Sequence, residues 1–345
     1  MDFTKQRTTT AKGVAICLMF IHHLYAYNYR LLHGNSYIPF IPTFNSEFYI
    51  ASFGNICVSI FLFLSGYGVF LGWSRSQHSP ILYSLKKLKE FYLTYWIYFL
   101  IFVPIGLIFF QQETVWNSDQ IRYSKDPITF LMNFIGWSSS YNEEWWFIRV
   151  FIIILVFFCP VYLILAEKNP IFVVFISLFL LALNFKASPY KNLFNFAIWQ
   201  PSFALGIICA KLNFFSSRYI RYFDKAGTIF VLFGLLLCIL IDNLWKLVVG
   251  IRLDFLIAPF FIYFTVRTVK LLHLDNLFTY LGKYSFPLWL IHSFFCYYYF
   301  QDLIYFPRWS PLVFLLLTTI SIISILAIEQ LGKVIKRMFK KPERL

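Results

Sequence analysis

Charge is what this chain has least of. Only 13% of its 345 residues are charged, and Asp and Glu together number 16 against 30 Lys and Arg. With 59% hydrophobic and 22% aromatic residues and a mean hydropathy of +0.67, a soluble globular domain is excluded and a polytopic membrane protein is indicated. The metal-binding signatures are missing too. Cys17, Cys57, Cys159, Cys209, Cys238 and Cys296 form no CxxC pair, and there is no HxxxH or HExxH. The adjacent His22 and His23 cannot chelate one ion from one helical face, so no metal site is expected. Internal repeats, low-complexity linkers and nucleic-acid motifs are also lacking. The net charge of +14 sits instead in short connections between apolar runs, the way membrane topology is encoded. No small-residue cleavage site follows the first apolar run, which reads as a retained first span.

What is present begins with KGVAICLMFIHH, Lys12 to His23. A spacing of eleven returns to within about 20° of the same helical face, and the two residues lie about 16 Å apart along the axis. His22 points away from that line. An imidazole inside an apolar span is costly and marks a functional candidate; the plain alternative is a polar residue bonded to a neighbouring helix.

The fold class expected is all-α: one bundle of about ten transmembrane helices filling 1–345, both termini cytoplasmic, with a basic tail at about 333–345. The spans fall at about 11–30, 48–73, 91–111, 145–165, 170–186, 194–212, 227–242, 251–270, 277–300 and 311–332. Any of Thr8, Thr9 and Thr10 would cap the first. Residues 74–90 read as a basic connection, and PITFLMNFIGW, too short to cross, as an interfacial or re-entrant segment. Sorted by side, 20 Lys and Arg fall with the termini and eight opposite, which puts the termini in the cytoplasm of a multi-pass protein of the cell (inner or plasma) membrane.

That topology brings His23, Asn55, Arg149, His292 and the Arg252/Asp254 pair to a shared depth in the outer half, as a polar cavity opening outward would require. Arg149 snorkelling to the interface, and Arg252 and Asp254 lying at the water boundary, are the plainer readings of those residues. On the cytoplasmic side stand Lys12, Arg75, Lys86, Lys87 and Lys89, near Ser65. This group suits a polyphosphate; ordinary positive-inside bias or contact with anionic lipid is the plainer reading on charge alone.

These motifs resemble the acyltransferase 3 family of integral-membrane acyltransferases. The family's basic residue, ten residues, then His is matched by Lys12 and His23, with Lys where Arg is usual; the charge is kept and the planar fork lost. FLFLSGYGVF resembles its F-x-x-S-G-Y/F, Lys86 and Lys89 its Arg-x-x-Arg, and LGKYSFPLWLIH its motif ending in His, here His292. Many relatives carry Glu after W-x-L in the fourth span; here WWFIRVFI has Arg149. No C-terminal SGNH-type hydrolase domain is seen, so transfer is expected to be completed by this bundle or by a separate protein.

The resemblance implies an acyl-CoA-dependent O-acyltransferase, with acyl-CoA (acetyl-CoA by family precedent) as co-substrate and no permanently bound cofactor. The acceptor would be a cell-surface glycan or lipid-linked sugar on the outer side. Membrane lipids and a homo-oligomeric partner are compatible with this; nucleic acid is not expected. CoA phosphates would dock on Lys86, Lys87, Lys89 and Lys12 or Arg75, with Ser65 nearby. The pantetheine arm would thread along the Lys12–His23 face, and His23 would act as general base. Asn55, His292 or Arg149 would orient His23, bind the sugar or stabilise the oxyanion. Trp145 and Trp146 are candidates for sugar stacking. A glycan flippase or small-solute transporter is the non-enzymatic alternative. It predicts internal repeats and gives no reason for the Lys12–His23 spacing. A glycan polymerase would need longer external loops than 112–144.

Overall fold

A computed structural model describes residues 3–43, 46–115, 118–183, 191–248 and 253–338, with the side chains of 191–194, 247–248 and 335–338 left aside. The architecture is all-α, that of a polytopic membrane protein. α1 (Lys5–Tyr25) is followed by a 3₁₀ turn at Asn28–Arg30, then by α2 (Ser46–Gly54) and α3 (Ile56–Ser74), which meet at Asn55. α4 (Pro80–Phe109) precedes the short α5 (Pro127–Phe134). Next come a 3₁₀ turn at Glu143–Trp145, α6 (Trp146–Ile153), a π-helical turn at Ile154–Phe158 and α7 (Cys159–Lys168). α8 (Pro170–Ala182), α9 (Lys191–Lys211), α10 (Arg218–Asp224), α11 (Thr228–Val248) and α12 (Asp254–Leu271) follow. α13 (Asp275–Lys283) and α14 (Ser285–Ser293) run into a second π-turn at Phe294–Tyr298, and α15 (Gln301–Tyr305) and α16 (Ser310–Met338) close the chain.

Among the described residues, five stretches are long and apolar enough to cross a bilayer: Ser46–Ser74, Pro80–Phe109, Glu143–Lys168, Thr228–Lys246 and Ser310–Val334. Each of the other expected spans contains a helix, shorter or more polar. Exposed Phe, Leu and Ile crowd the outer faces of α8, α11 and α16, as lipid contact requires.

Several boundaries differ from the sequence reading. The cap of α1 is Thr4, whose hydroxyl accepts from the Arg7 amide, rather than Thr8, Thr9 or Thr10. Residues 80–90 are not a connection. Ser79 caps α4 by accepting from the Leu82 amide, Pro80 opens it, and Lys86, Lys87 and Lys89 ride on its first turns. Part of the expected basic tail, 333–338, belongs to α16, and 339–345 lie outside the described residues.

α5 packs on the flank of α4, with Asn133 its one buried residue. Its last carbonyls, at Asn133, Phe134 and Ile135, accept from Tyr95, Trp96 and Tyr92 of α4 at 2.6, 3.0 and 2.6 Å. Those donors sit about 20 Å below the Phe109 end of α4, at 1.5 Å per residue. Three side chains of one helix thus satisfy carbonyls that the end of another leaves open.

Two backbone-to-backbone crossings set the frame around α1 and α3. A Cβ on Gly13 would fall 1.9 Å from the Phe278 carbonyl oxygen, and one on Gly282 1.8 Å from that of Thr9, so α1 and α13 meet with no side chain between them. The Thr10 and Thr279 hydroxyls bond beside this contact at 2.9 Å. Gly66 and Gly206 repeat the arrangement for α3 and α9, each Cβ landing 2.1 Å from an opposing carbonyl, Phe203 and Phe63. Small residues that let helices close on each other are a membrane-bundle device.

Candidate functional site

A single cavity of about 1710 Å³ runs beside α1 from one end to the other. On α1 it is lined by Thr8, Lys12, Met19 and His23, and on α3 by Val58, Phe61, Ser65, Gly68 and Gly72. These spacings of three, four and seven residues mark one stripe of each helix. Opposite them stand Phe147, Phe151 and Leu155, then Phe286 and Trp289. The first mouth is basic, with Lys5, Lys12, Arg75 and Lys87 beside Glu90. The far chamber holds His22, His23, Tyr27, Arg30, Asn55, Glu143 and Glu144.

The chamber is built on His23. Its Nε2 lies 3.4 Å from Glu144 Oε2, and Glu144 Oε1 accepts from Arg30 Nη1 at 2.6 Å. Arg30 is stacked over the Tyr27 ring at 4.7 Å and the Tyr297 ring at 5.2 Å. Gln301 holds the turn that presents it. The Gln301 amide donates to the Arg30 carbonyl at 2.9 Å and accepts from the Leu32 amide at 2.7 Å.

Hydrogen-bond directions assign the tautomer. Tyr297 donates its hydroxyl proton to the His23 carbonyl at 2.5 Å. The same oxygen lies 3.3 Å from His23 Nδ1 and must accept there, so Nδ1 carries a proton. Nε2 then carries the free lone pair and faces a carboxylate oxygen at 3.4 Å, so two proton acceptors stand side by side.

The π-turn at Phe294–Tyr298 makes this possible. It widens the helix after His292 and delivers Tyr297 to His23 and Tyr298 to the Glu143 amide, which donates to the Tyr298 hydroxyl at 3.2 Å. Glu143 in turn accepts from Arg122 Nη2 at 2.9 Å.

Of the residues singled out in the sequence, Lys12, His23, Asn55, Ser65 and Lys87 line the cavity together. His22, which the helical wheel turned aside, lines it too. Its Nδ1 is 2.7 Å from the Ala51 carbonyl at the α2–α3 break, and its ring is 5.2 Å from that of His23. His292 stands behind the wall: fully buried, Nδ1 at 2.7 Å from the Trp289 carbonyl, its ring 4.8 Å from His23. Trp146 faces the cavity, whereas Trp145 is buried behind it and donates to the Leu290 carbonyl at 3.0 Å.

Four of the described candidates are placed elsewhere. Arg149 donates to the Trp137 carbonyl at 2.8 Å and fastens the chain returning from α5. Lys86 and Lys89 are exposed on the sides of α4 away from the cavity, while Lys87 between them turns inward and pairs with Glu90 at 2.7 Å. Arg252 lies outside the described residues, and Asp254 is 3.4 Å from Lys246. Among the described residues no cluster of His, Cys, Asp and Glu could hold a metal ion.

Sequence reasoning missed Glu144 and Arg30. The sequence marks Arg30 only as an outer-side charge, and the family pattern points to an acid after the tryptophans. The acid stands two residues before Trp146. The signal that finds it is depth: Glu144, at the outer start of the fourth apolar run, lies level with His23.

The family model described as an acyltransferase domain (Acyl_transf_3) matches residues 9–329. The chain belongs to the acyltransferase 3 family. It is a membrane acyltransferase by that membership, and the matched span contains Lys12, His23, Lys87, Glu144 and His292. No curated protein and no solved structure matches the chain.

Proposed function

We propose that this acyltransferase moves an acyl group, acetyl by family precedent, from cytoplasmic acyl-CoA to a hydroxyl of a glycan or lipid-linked sugar on the outer side of the cell membrane. One observation carries the reading: a continuous cavity joins the Lys12/Lys87 mouth to the His23–Glu144 pair. Lys12, Lys87 and Arg75 would receive the CoA phosphates, with Lys86 and Lys89 adding field from the helix flank. The roughly 16 Å between Lys12 and His23 suits an extended pantetheine arm lying along Ser65 and Gly68. The thioester then reaches the chamber.

The chemistry is proton-neutral overall. His23 Nε2 takes the acceptor's hydroxyl proton as its oxygen attacks the thioester carbonyl. The tetrahedral oxyanion would be met by the Asn55 amide, which lines the same chamber. The C–S bond breaks, and the proton passes from His23 Nε2 to the departing CoA thiolate, which restores the neutral imidazole. Products are the ester and free CoA. Arg30 holds Glu144 in place through their ion pair, and His292 backs the His23 ring.

The test is acetyl-CoA binding and transfer by purified protein in detergent. Wild type should bind; His23→Ala should bind and fail to transfer. Absence of binding at millimolar acetyl-CoA would remove the enzyme reading in favour of a transporter.

A further inference from the structure

We propose that the acceptor carries a hydrophobic tail and enters the histidine chamber sideways from the bilayer, past Leu178 and Ala182 of α8. This rests on the acyltransferase reading and names the acceptor class for the same site.

The argument starts from the faces of α8. At 100° per residue, Ile171, Phe175, Leu178 and Ala182 fall within about 60° of one another. Ile171 is 45% exposed and Phe175 64%, so this is the helix's lipid-facing side. Val173 and Ser177 point the other way and are buried. Leu178 and Ala182 are on the outward side, yet both line the cavity that also contains His23 and Glu144. The cavity therefore continues round α8 onto the surface that lipid covers.

The route inward changes character along its length. It begins on leucine and alanine and passes the half-buried Trp146, which is backed at 6.0 Å by the buried Trp199. It ends at Glu144, two residues before Trp146. Aliphatic walls suit a lipid chain, indole faces suit a sugar ring, and the carboxylate–imidazole pair suits a hydroxyl. An amphipathic acceptor has these parts in the same order. Its tail can stay in the bilayer while the head group reaches His23, so the head need not be drawn out of water alone. A water-soluble glycan would gain nothing from the apolar end of the path.

The experiment uses full-length protein in nanodiscs with radiolabelled acetyl-CoA and a total membrane lipid extract from the source organism. Label should enter the organic-solvent-extractable fraction. Leu178→Trp and Ala182→Trp, which put an indole in the portal, should each cut that rate by about 10-fold through a raised KM for the extract. Phe179→Trp, exposed but not lining the cavity, serves as the folding and insertion control and should transfer at the wild-type rate. The proposal is overturned if label appears only in water-soluble glycan, or if both portal variants work like wild type. It is equally overturned if they change only the preference between acetyl- and octanoyl-CoA, since the donor's acyl chain would then occupy the path. A wild type that neither binds acetyl-CoA nor releases CoA would instead bring down the acyltransferase reading itself.

Discussion

His23 Nε2 and Glu144 Oε2 face each other at 3.4 Å, with the far side of each partner tied down, by Tyr297 at Nδ1 and by Arg30 at Oε1. The pair joins two helices that are more than a hundred residues apart in sequence. Neither group has freedom to turn away. An acceptor hydroxyl placed between them would meet a base whose tautomer is already set.

Glu144→Gln keeps the shape and removes the charge, and it should lower transfer by about 10²-fold or more, the range expected for losing part of an acid–base device. Acetyl-CoA affinity should change little, because on the proposed reading the donor's phosphates dock at the other end of the cavity. His23→Ala should lose transfer entirely. Single-turnover rates beside equilibrium binding separate these effects, and a Glu144→Gln protein with wild-type turnover would deny the pair its role.

At the basic mouth the expectation discriminates between neighbouring lysines. Lys87 lines the cavity, and Lys86 and Lys89 do not. Lys87→Ala should therefore weaken acetyl-CoA binding by about 10-fold, close to 1.4 kcal/mol. Lys86→Ala and Lys89→Ala should act only through the local field, so their smaller effects should disappear as salt rises above physiological strength. Titrations at low and high ionic strength check this. Equal losses in all three variants would mean that CoA docks on the outer flank of α4.

How much of this was legible in the sequence depends on range. The Lys12–His23 stripe followed from the helical period, and the structure keeps both on the cavity wall. Gly66 and Gly282 were visible as motif letters, but their reason, a carbonyl of another helix within bonding distance of any added Cβ, needed the tertiary structure. The start of α4 is readable in Ser79-Pro80, a cap followed by a favoured first residue, although the lysines behind it give the stretch the look of a connection. Glu144 was obscured by its place just before an apolar run, where an acid reads as loop. The two π-turns left no periodic trace, since a single extra residue in an apolar helix changes no hydrophobic pattern.

Gly66→Ala should destabilise the bundle by about 1–3 kcal/mol, because the added methyl meets the Phe203 carbonyl rather than a side chain that can rotate away. Gly206→Ala should do the same from the other side of the crossing. Gly332→Ala is the control, since nothing lies within 4 Å of its Cβ position in α16. Unfolding scans of the three variants in one detergent make the comparison. A Gly66→Ala protein as stable as the Gly332→Ala protein would show that α3 and α9 can separate cheaply.

Ser84 and Pro160 make a sharper test of how the bundle satisfies its backbone. In the π-turn the Cys159 amide bonds to the Ile154 carbonyl, five residues back. The next residue in that register is Pro160, which has no N–H to give Leu155. The buried Ser84 hydroxyl of α4 donates to the Leu155 carbonyl instead. With no water at hand, removing this donor by Ser84→Ala should cost about 1–3 kcal/mol. Pro160→Ala restores an amide that can reach the same carbonyl, so Ser84→Ala should cost less in that background. A double-mutant cycle reads the difference, and a coupling energy of zero would mean that the serine and the proline are unrelated.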